Sequence, residues 1–364
     1  MALAAEELLS TAILATASSV SRAPWTTTST HSNSITYNFS DRLPTTMVKR
    51  DPRNQQTQYR FGIGEWYGKS FVHLSPEERK RYAELQFAGG QQSIPLCPFL
   101  SSQENPVQCS KKGGVCSLRS YERSGSDQEV APDRRGSTIR TVCPIRFEEA
   151  NEIYRWIGEV ILDDPSAVAL GQVNFLERVP LIGDPIAGGS RTLREVGRID
   201  NILVVPDTKP LQWCAVEIQA VYFSGPNMHS HFEEIRTHNG PSLPFPKGTR
   251  RPDYRSSAPK RLMPQLQIKV PTLSRWGKKM AVLIDEDFFS AMGRMEAESD
   301  LSNCDVAWFV VGYNDENDTI HLQRRKVAFT TLENSVDGLI AGRPPAQAKF
   351  EEKIRTRLQA LSKT

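Results

Sequence analysis

The chain has no apolar run long enough to cross a bilayer, which excludes a spanning helix as an expectation. It also lacks the basic start of a secretory signal: Glu6 and Glu7 come first, and no Lys or Arg precedes Arg22. Together these absences point to a cytoplasmic location and no membrane partner. There, six cysteines in 364 residues read as thiols or metal ligands rather than disulfides. A glycine fingerprint for nucleotides is missing as well, because Gly188-Gly189-Ser190 has no strand-to-helix context. Large apolar residues are scarce in 17–35, where Ser, Thr and Asn dominate. Residues 1–58 are therefore expected to be a disordered extension, with Met47 as a candidate start.

What is present describes a globular protein, with 38% hydrophobic and 24% charged residues. A chain of this length can bury a substantial core, and two domains are expected. Residues 59–146 read as a compact, loop-rich region holding Cys97, Cys109, Cys116 and Cys143. Within it, Ser75-Pro76-Glu77-Glu78 starts a helix with a capping serine, proline in the first turn and early acids, continuing toward Gly89-Gly90. In 147–364, a helix is expected from Phe147 to Ile161, ended by Asp163-Asp164-Pro165. Strands follow at 196–206, 211–223, 280–285, 306–313 and 320–329. A final amphipathic helix carries Phe350, Ile354, Leu358 and Leu361 on one stripe. The expected fold class is α/β, a mixed central sheet flanked by helices.

The most informative chemistry lies in Asp200 and, after sixteen intervening residues, Glu217-Ile218-Gln219. Alternation along a strand sends Glu217 and Gln219 to one face and Val216, Ile218 and Ala220 to the other. A hairpin carrying one Asp and one Glu can simply show a solvated face. The flanking Trp213, Val216, Ile218, Val221 and Phe223 argue instead that the acids sit inside the protein. A buried carboxylate needs a metal or a partner, and two meeting at a hairpin suit a hard cation such as Mg2+.

Net charge is only +3, but between Lys247 and Lys279 ten basic residues face the single acid Asp253. The prolines at 252, 259, 264 and 271, with Tyr254 and Trp276, suggest a loop that follows a phosphate backbone. Arg250, Arg251, Arg255, Lys260, Arg261 and Lys269 are the candidate DNA contacts, and a solvated basic loop is the alternative. For the four cysteines, a tetrahedral zinc or iron site and isolated buried thiols both stand, since their spacing matches no common zinc finger. Cys214 and Cys304 read as core residues. His229-Ser-His231 with Glu233 and Glu234 reads as a surface helix start before a ligand set.

The ordered combination of Cys97-Pro98-Phe99-Leu100, Gly114-Val115-Cys116, Cys143-Pro144, Val216-Glu217-Ile218-Gln219 and Ala307-Trp308-Phe309-Val310 resembles the NotI restriction endonuclease family. The resemblance runs from about Phe61 to the C-terminal helix. It implies a type II restriction endonuclease with a PD-(D/E)xK-type core, preceded by a small four-cysteine domain that binds iron in that family. Asp200 and Glu217 would ligate the catalytic Mg2+, Gln219 would stand at the motif's lysine position, and Glu177 would be the upstream acid. Double-stranded DNA with a palindromic, GC-rich site, a homodimer and a cognate DNA methyltransferase follow as implied partners. A non-catalytic DNA-binding protein with a structural metal site is the alternative. A phosphodiesterase for small nucleotides is disfavoured, because the basic block exceeds what a small substrate needs.

Overall fold

Aromatic and β-branched residues recur through Gln58–Trp66, which extends as strand β1. Tyr67 and Gly68, both at positive φ, turn the chain into β2 (Lys69–Ser70), as a two-residue hairpin requires. The computed structural model describes residues 57–88, 94–123, 129–133, 138–177, 195–316, 319–342 and 345–361. Nearly all of the expected N-terminal extension, Met47 and Gly89-Gly90 lie outside these residues.

Ser75 caps α1 (Pro76–Glu84): its hydroxyl accepts from Glu78 N, while the Glu78 carboxylate accepts from Ser75 N. After it, β3 (Val115–Arg123) pairs antiparallel with β1, β4 (Val130–Pro132) and β5 (Arg140–Thr141). The cysteine region is thus built around a five-stranded antiparallel sheet that the sequence reading did not include, while the described residues between α1 and β3, with Cys97 and Cys109, are loop. In β3 the buried Ser117, Arg119 and Ser120 interrupt the apolar alternation by which a strand is recognised. Its hydrophobic cluster, centred on Ile63, Trp66, Phe71 and Tyr82, is completed from far along the chain by Phe232, Ile235 and Phe245.

The helix expected from Phe147 forms in three pieces: a 3-10 segment at Pro144–Asn151, α2 (Glu152–Ile157) and a π turn at Gly158–Leu162. Two short strands follow, β6 (Val168–Ala169) and β7 (Val173–Glu177). Next come β8 (Glu195–Ile199), β9 (Asn201–Val205), β10 (Gln212–Ile218) and β11 (Phe223–Ser224). Helix α3 (His229–Thr237), strand β12 (Arg251–Pro252), helix α4 (Tyr254–Ser257) and helix α5 (Met263–Arg275) lead into β13 (Met280–Asp285). Helix α6 (Glu286–Ala291), strands β14 (Val306–Glu316) and β15 (Thr319–Thr330), and helices α7 (Leu332–Ile340) and α8 (Gln347–Leu361) complete the described fold.

The second sheet has the order β15-β14-β13-β10-β9-β6. It is mixed: β13 runs parallel to β10 and β14, and the outer pairs are antiparallel. Both faces are covered. Met280, Val282 and Ile284 of β13 pack with Leu266, Val270 and Leu273 of α5, while Ala281 and Leu283 pack with Phe147, Ile153, Trp156 and Ile157. At roughly 1.5–3 kcal/mol per large apolar side chain fully buried, these two layers dominate the stability of the sheet. The mixed α/β architecture agrees with the reading of the sequence. Helix α8 forms, but Phe350, Ile354, Leu358 and Leu361 all remain exposed. Among the described residues no helix is long and apolar enough to cross a membrane.

Candidate active site

Asp200 stands at the junction of β8 and β9. The β9–β10 register pairs Asn201 with Val216, so Asp200 falls one step further on, opposite Glu217. Its Oδ2 accepts a hydrogen bond from Ile218 N at 3.0 Å, which fixes the carboxylate against the end of β10. Glu217 is only 4% exposed, on a strand enclosed by β9 and β13. Burial, followed by repulsion from Asp200, pushes its pKa up to about 7 against the pull of Lys269. Gln219 is half-buried just past the strand; its N donates to Leu283 O (3.0 Å) and its Nε2 to Ala220 O (2.6 Å).

Asp200, Glu217 and Gln219 line one cleft of about 640 Å³, together with Arg198, Lys260, Arg261 and Lys269. The cleft therefore brings the three residues together, Glu217 and Gln219 by alternation along β10 and Asp200 by the β9–β10 register. Glu177 ends β7 in register with Glu195, and its side chain lies outside the described residues, as does the stretch 178–194.

The basic block differs from its expected form. It is mostly helical: α4, a π turn at Ala258–Leu262 and α5 follow one another without a break. Pro259 lies in the π turn, Pro264 at the start of α5 and Pro271 within it, so the helical stretch carries three prolines, each removing one N–H from its ladder, and the π turn is where the ladder is locally widened. Arg251, Arg255, Lys260 and Arg261 are exposed, and the last two form the rim of the cleft. Arg250 is buried, and its guanidinium donates to the carbonyls of Pro226 (3.1 Å), Lys247 (2.7 Å) and Asn227 (2.7 Å). Those donors tie loops together inside the protein, so Arg250 presents none of them to a phosphate in this conformation. Lys269 is buried too, with its Nζ on the Glu217 carboxylate.

Lys269, grouped by charge density with the exposed residues of the block, differs from them in setting. It lies at helical spacing with Leu266, Val270 and Leu273, the buried stripe of α5. A lysine inside an apolar stripe was the available signal.

The four cysteines are buried free thiols. Cys97 and Cys109 flank the isolated bridge between Leu96 and Gln108, with Cys97 N donating to Val107 O (2.8 Å) and Cys109 N to Pro95 O (3.0 Å). Cys143 N donates to Cys116 O at 3.1 Å, joining the other two. Burial raises the thiol pKa of Cys109, and the charges of Cys97 and Cys143 add to the effect. Cys116 is likewise raised by burial first, with Cys143 contributing. Each thiol thus lies within electrostatic reach of another, although among the described residues no group of three or more His, Cys, Asp or Glu is arranged to hold a metal. His231 is buried in α3, where its Nδ1 accepts from Lys247 N (3.4 Å), and joins no such group.

No curated protein matches the chain in sequence. Residues 84–323, about two thirds of the chain, match the family model of restriction endonuclease NotI, and that span contains the four cysteines, Asp200, Glu217, Gln219 and Lys269. The chain belongs to the NotI restriction endonuclease family.

Proposed function

We propose that this protein is a type II restriction endonuclease, hydrolysing phosphodiester bonds of double-stranded DNA at a specific site with Mg2+. The observation that carries this reading is the convergence of Asp200 and Glu217 in a cleft rimmed by Lys260 and Arg261, within the span matched by the family. The donor set suits Mg2+, which is commonly bound by one or two carboxylates and completes its shell with waters and substrate phosphate. Asp200 and Glu217 would hold the ion, which when bound supplies an activated water and offsets charge on the phosphate. The Gln219 amide can orient the attacking water through hydrogen bonds, and Lys260 and Arg261 can hold the backbone on either side. A PD-(D/E)xK-type core fits the mixed sheet with both acids at the β9–β10 edge of the cleft. A homodimer follows from the two-fold symmetry of a palindromic target, and a cognate DNA methyltransferase is the expected companion.

The decisive experiment is digestion of long unmethylated DNA by the purified protein with Mg2+ and with EDTA. Reproducible, discrete fragments are expected with Mg2+ alone. Binding without scission under every divalent cation would make it a DNA-binding protein instead.

Cys97, Cys109, Cys116 and Cys143 supply the soft donors that iron and zinc take, but as they stand no three of them are arranged around one ion, so holding it would require the four to draw together. Elemental analysis of active protein is expected to find about one such ion per chain. Active protein free of iron and zinc would remove that assignment.

A further inference from the structure

With Gln219 following Glu217, the end of β10 offers the cleft no cation, yet one reaches Glu217 from elsewhere. Lys269 comes from the opposite wall, on α5, and places its ammonium on Glu217 while its side chain lines the same cavity as Asp200 and Gln219. The other three described cations of the cleft differ in setting. Lys260 and Arg261 are exposed, and Arg198 donates to Gln172 Oε1 at 3.0 Å. Among the described residues only Lys269 is paired with a carboxylate of the site.

Packing alone does not account for Lys269. Its neighbours on the stripe are Leu266, Val270 and Leu273, all in the core, and the residue is itself 2% exposed. An apolar side chain there, with a neutral partner, would avoid two desolvation penalties, and buried ion pairs generally gain little over such replacements. Its position on the wall of an open cleft gives the charge a use.

We propose that Lys269 is the cationic catalytic residue of this nuclease, supplied from α5 in place of the lysine that the strand lacks at Gln219. The inference rests on the nuclease reading above. In hydrolysis a water oxygen bonds to phosphorus as the bond to the leaving sugar oxygen breaks. The water gives up a proton to solvent, and the leaving oxygen takes one from solvent. Negative charge builds on the phosphate oxygens in between, and an ammonium already held in the cleft offsets it without reorganising. Glu217 keeps that ammonium in place before DNA arrives.

The test uses the full chain and two variants, Lys269→Gln and the double variant Lys269→Gln with Gln219→Lys. Single-turnover cleavage with Mg2+ should fall roughly 100-fold in Lys269→Gln. DNA affinity, read with Ca2+ in place of Mg2+, should stay within about twofold, because the lost interaction belongs to the transition state. Restoring an ammonium from the strand side should recover at least about tenfold of the rate. It also gives Glu217 a partner, so the double variant decides the matter even if Lys269→Gln folds poorly. Mn2+ titration of the DNA-free proteins by calorimetry shows whether each variant still takes up the metal. Wild-type cleavage rates in folded Lys269→Gln, or a folded, metal-binding double variant that stays roughly 100-fold or more below the wild type, would overturn the proposal. Failure of the wild type to cut with either Mg2+ or Mn2+ would instead overturn the nuclease reading beneath it.

Discussion

Asp200→Asn is expected to reduce Mg2+-dependent cleavage on the order of 10³-fold, the upper end of what removing one preorganised electrostatic group costs. The variant is clean, because an Asn Oδ1 can still accept the hydrogen bond from Ile218 N that positions this side chain. Only the charge that would hold the ion is lost. Glu217→Gln should impair cleavage as severely but also lower stability. It leaves the buried Lys269 ammonium facing a neutral amide, and an uncompensated buried charge is costly. Cleavage of plasmid DNA, with circular dichroism melts on the same preparations, separates the two effects. Folded Asp200→Asn protein that cuts at the wild-type rate would remove this cleft from the mechanism.

Glu217 and Gln219 were legible because strand geometry is local: a period of two assigns a face without knowledge of the partner strand, and the short β9–β10 hairpin brought Asp200 to them. The central strands were legible for a different local reason: β13, buried on both faces, reads as an unbroken apolar run. Lys269 was not. Its importance depends on α5 crossing the face of β10, a tertiary fact, and a count of basic residues weighs it equally with Lys260 on the rim. The prolines misled in the same segment, because prolines carried inside a bulged helical stretch look in sequence like prolines in a loop. The first sheet was hidden by buried polar residues. Ser117 and Arg119 in β3 are as deeply placed as Leu118, so polarity there does not mark exposure. The stripe on α8 shows the converse: helical periodicity announced an apolar face, and the face remains exposed.

Arg146→Met is expected to cost about 3–5 kcal/mol of stability, the range for removing one partner of a buried ion pair. Arg146 follows Cys143-Pro144 and is fully buried. Its Nε donates to Glu65 of β1, its Nη1 to Glu149 and its Nη2 to Ile320 O of β15, each at 2.7 Å. The guanidinium also lies over the rings of Phe99 (4.6 Å) and Tyr313 (4.9 Å). Burial works against its charge, but attraction, led by Glu65, outweighs that and raises its pKa. One side chain therefore joins the cysteine-bearing sheet to the edge strand of the sheet that carries the candidate active site. Methionine fills much of the volume but leaves Glu65 buried with no cation. Lysine keeps the charge but cannot fork to three acceptors, so Arg146→Lys should fall between the two. Pairing Arg146→Met with Glu65→Leu removes both charges and should recover part of the loss, because the penalty comes mostly from the orphaned carboxylate. Urea melts of the four proteins measure these differences directly. A single-variant loss below about 1 kcal/mol, the value of a surface pair, would mean that the clamp carries no weight.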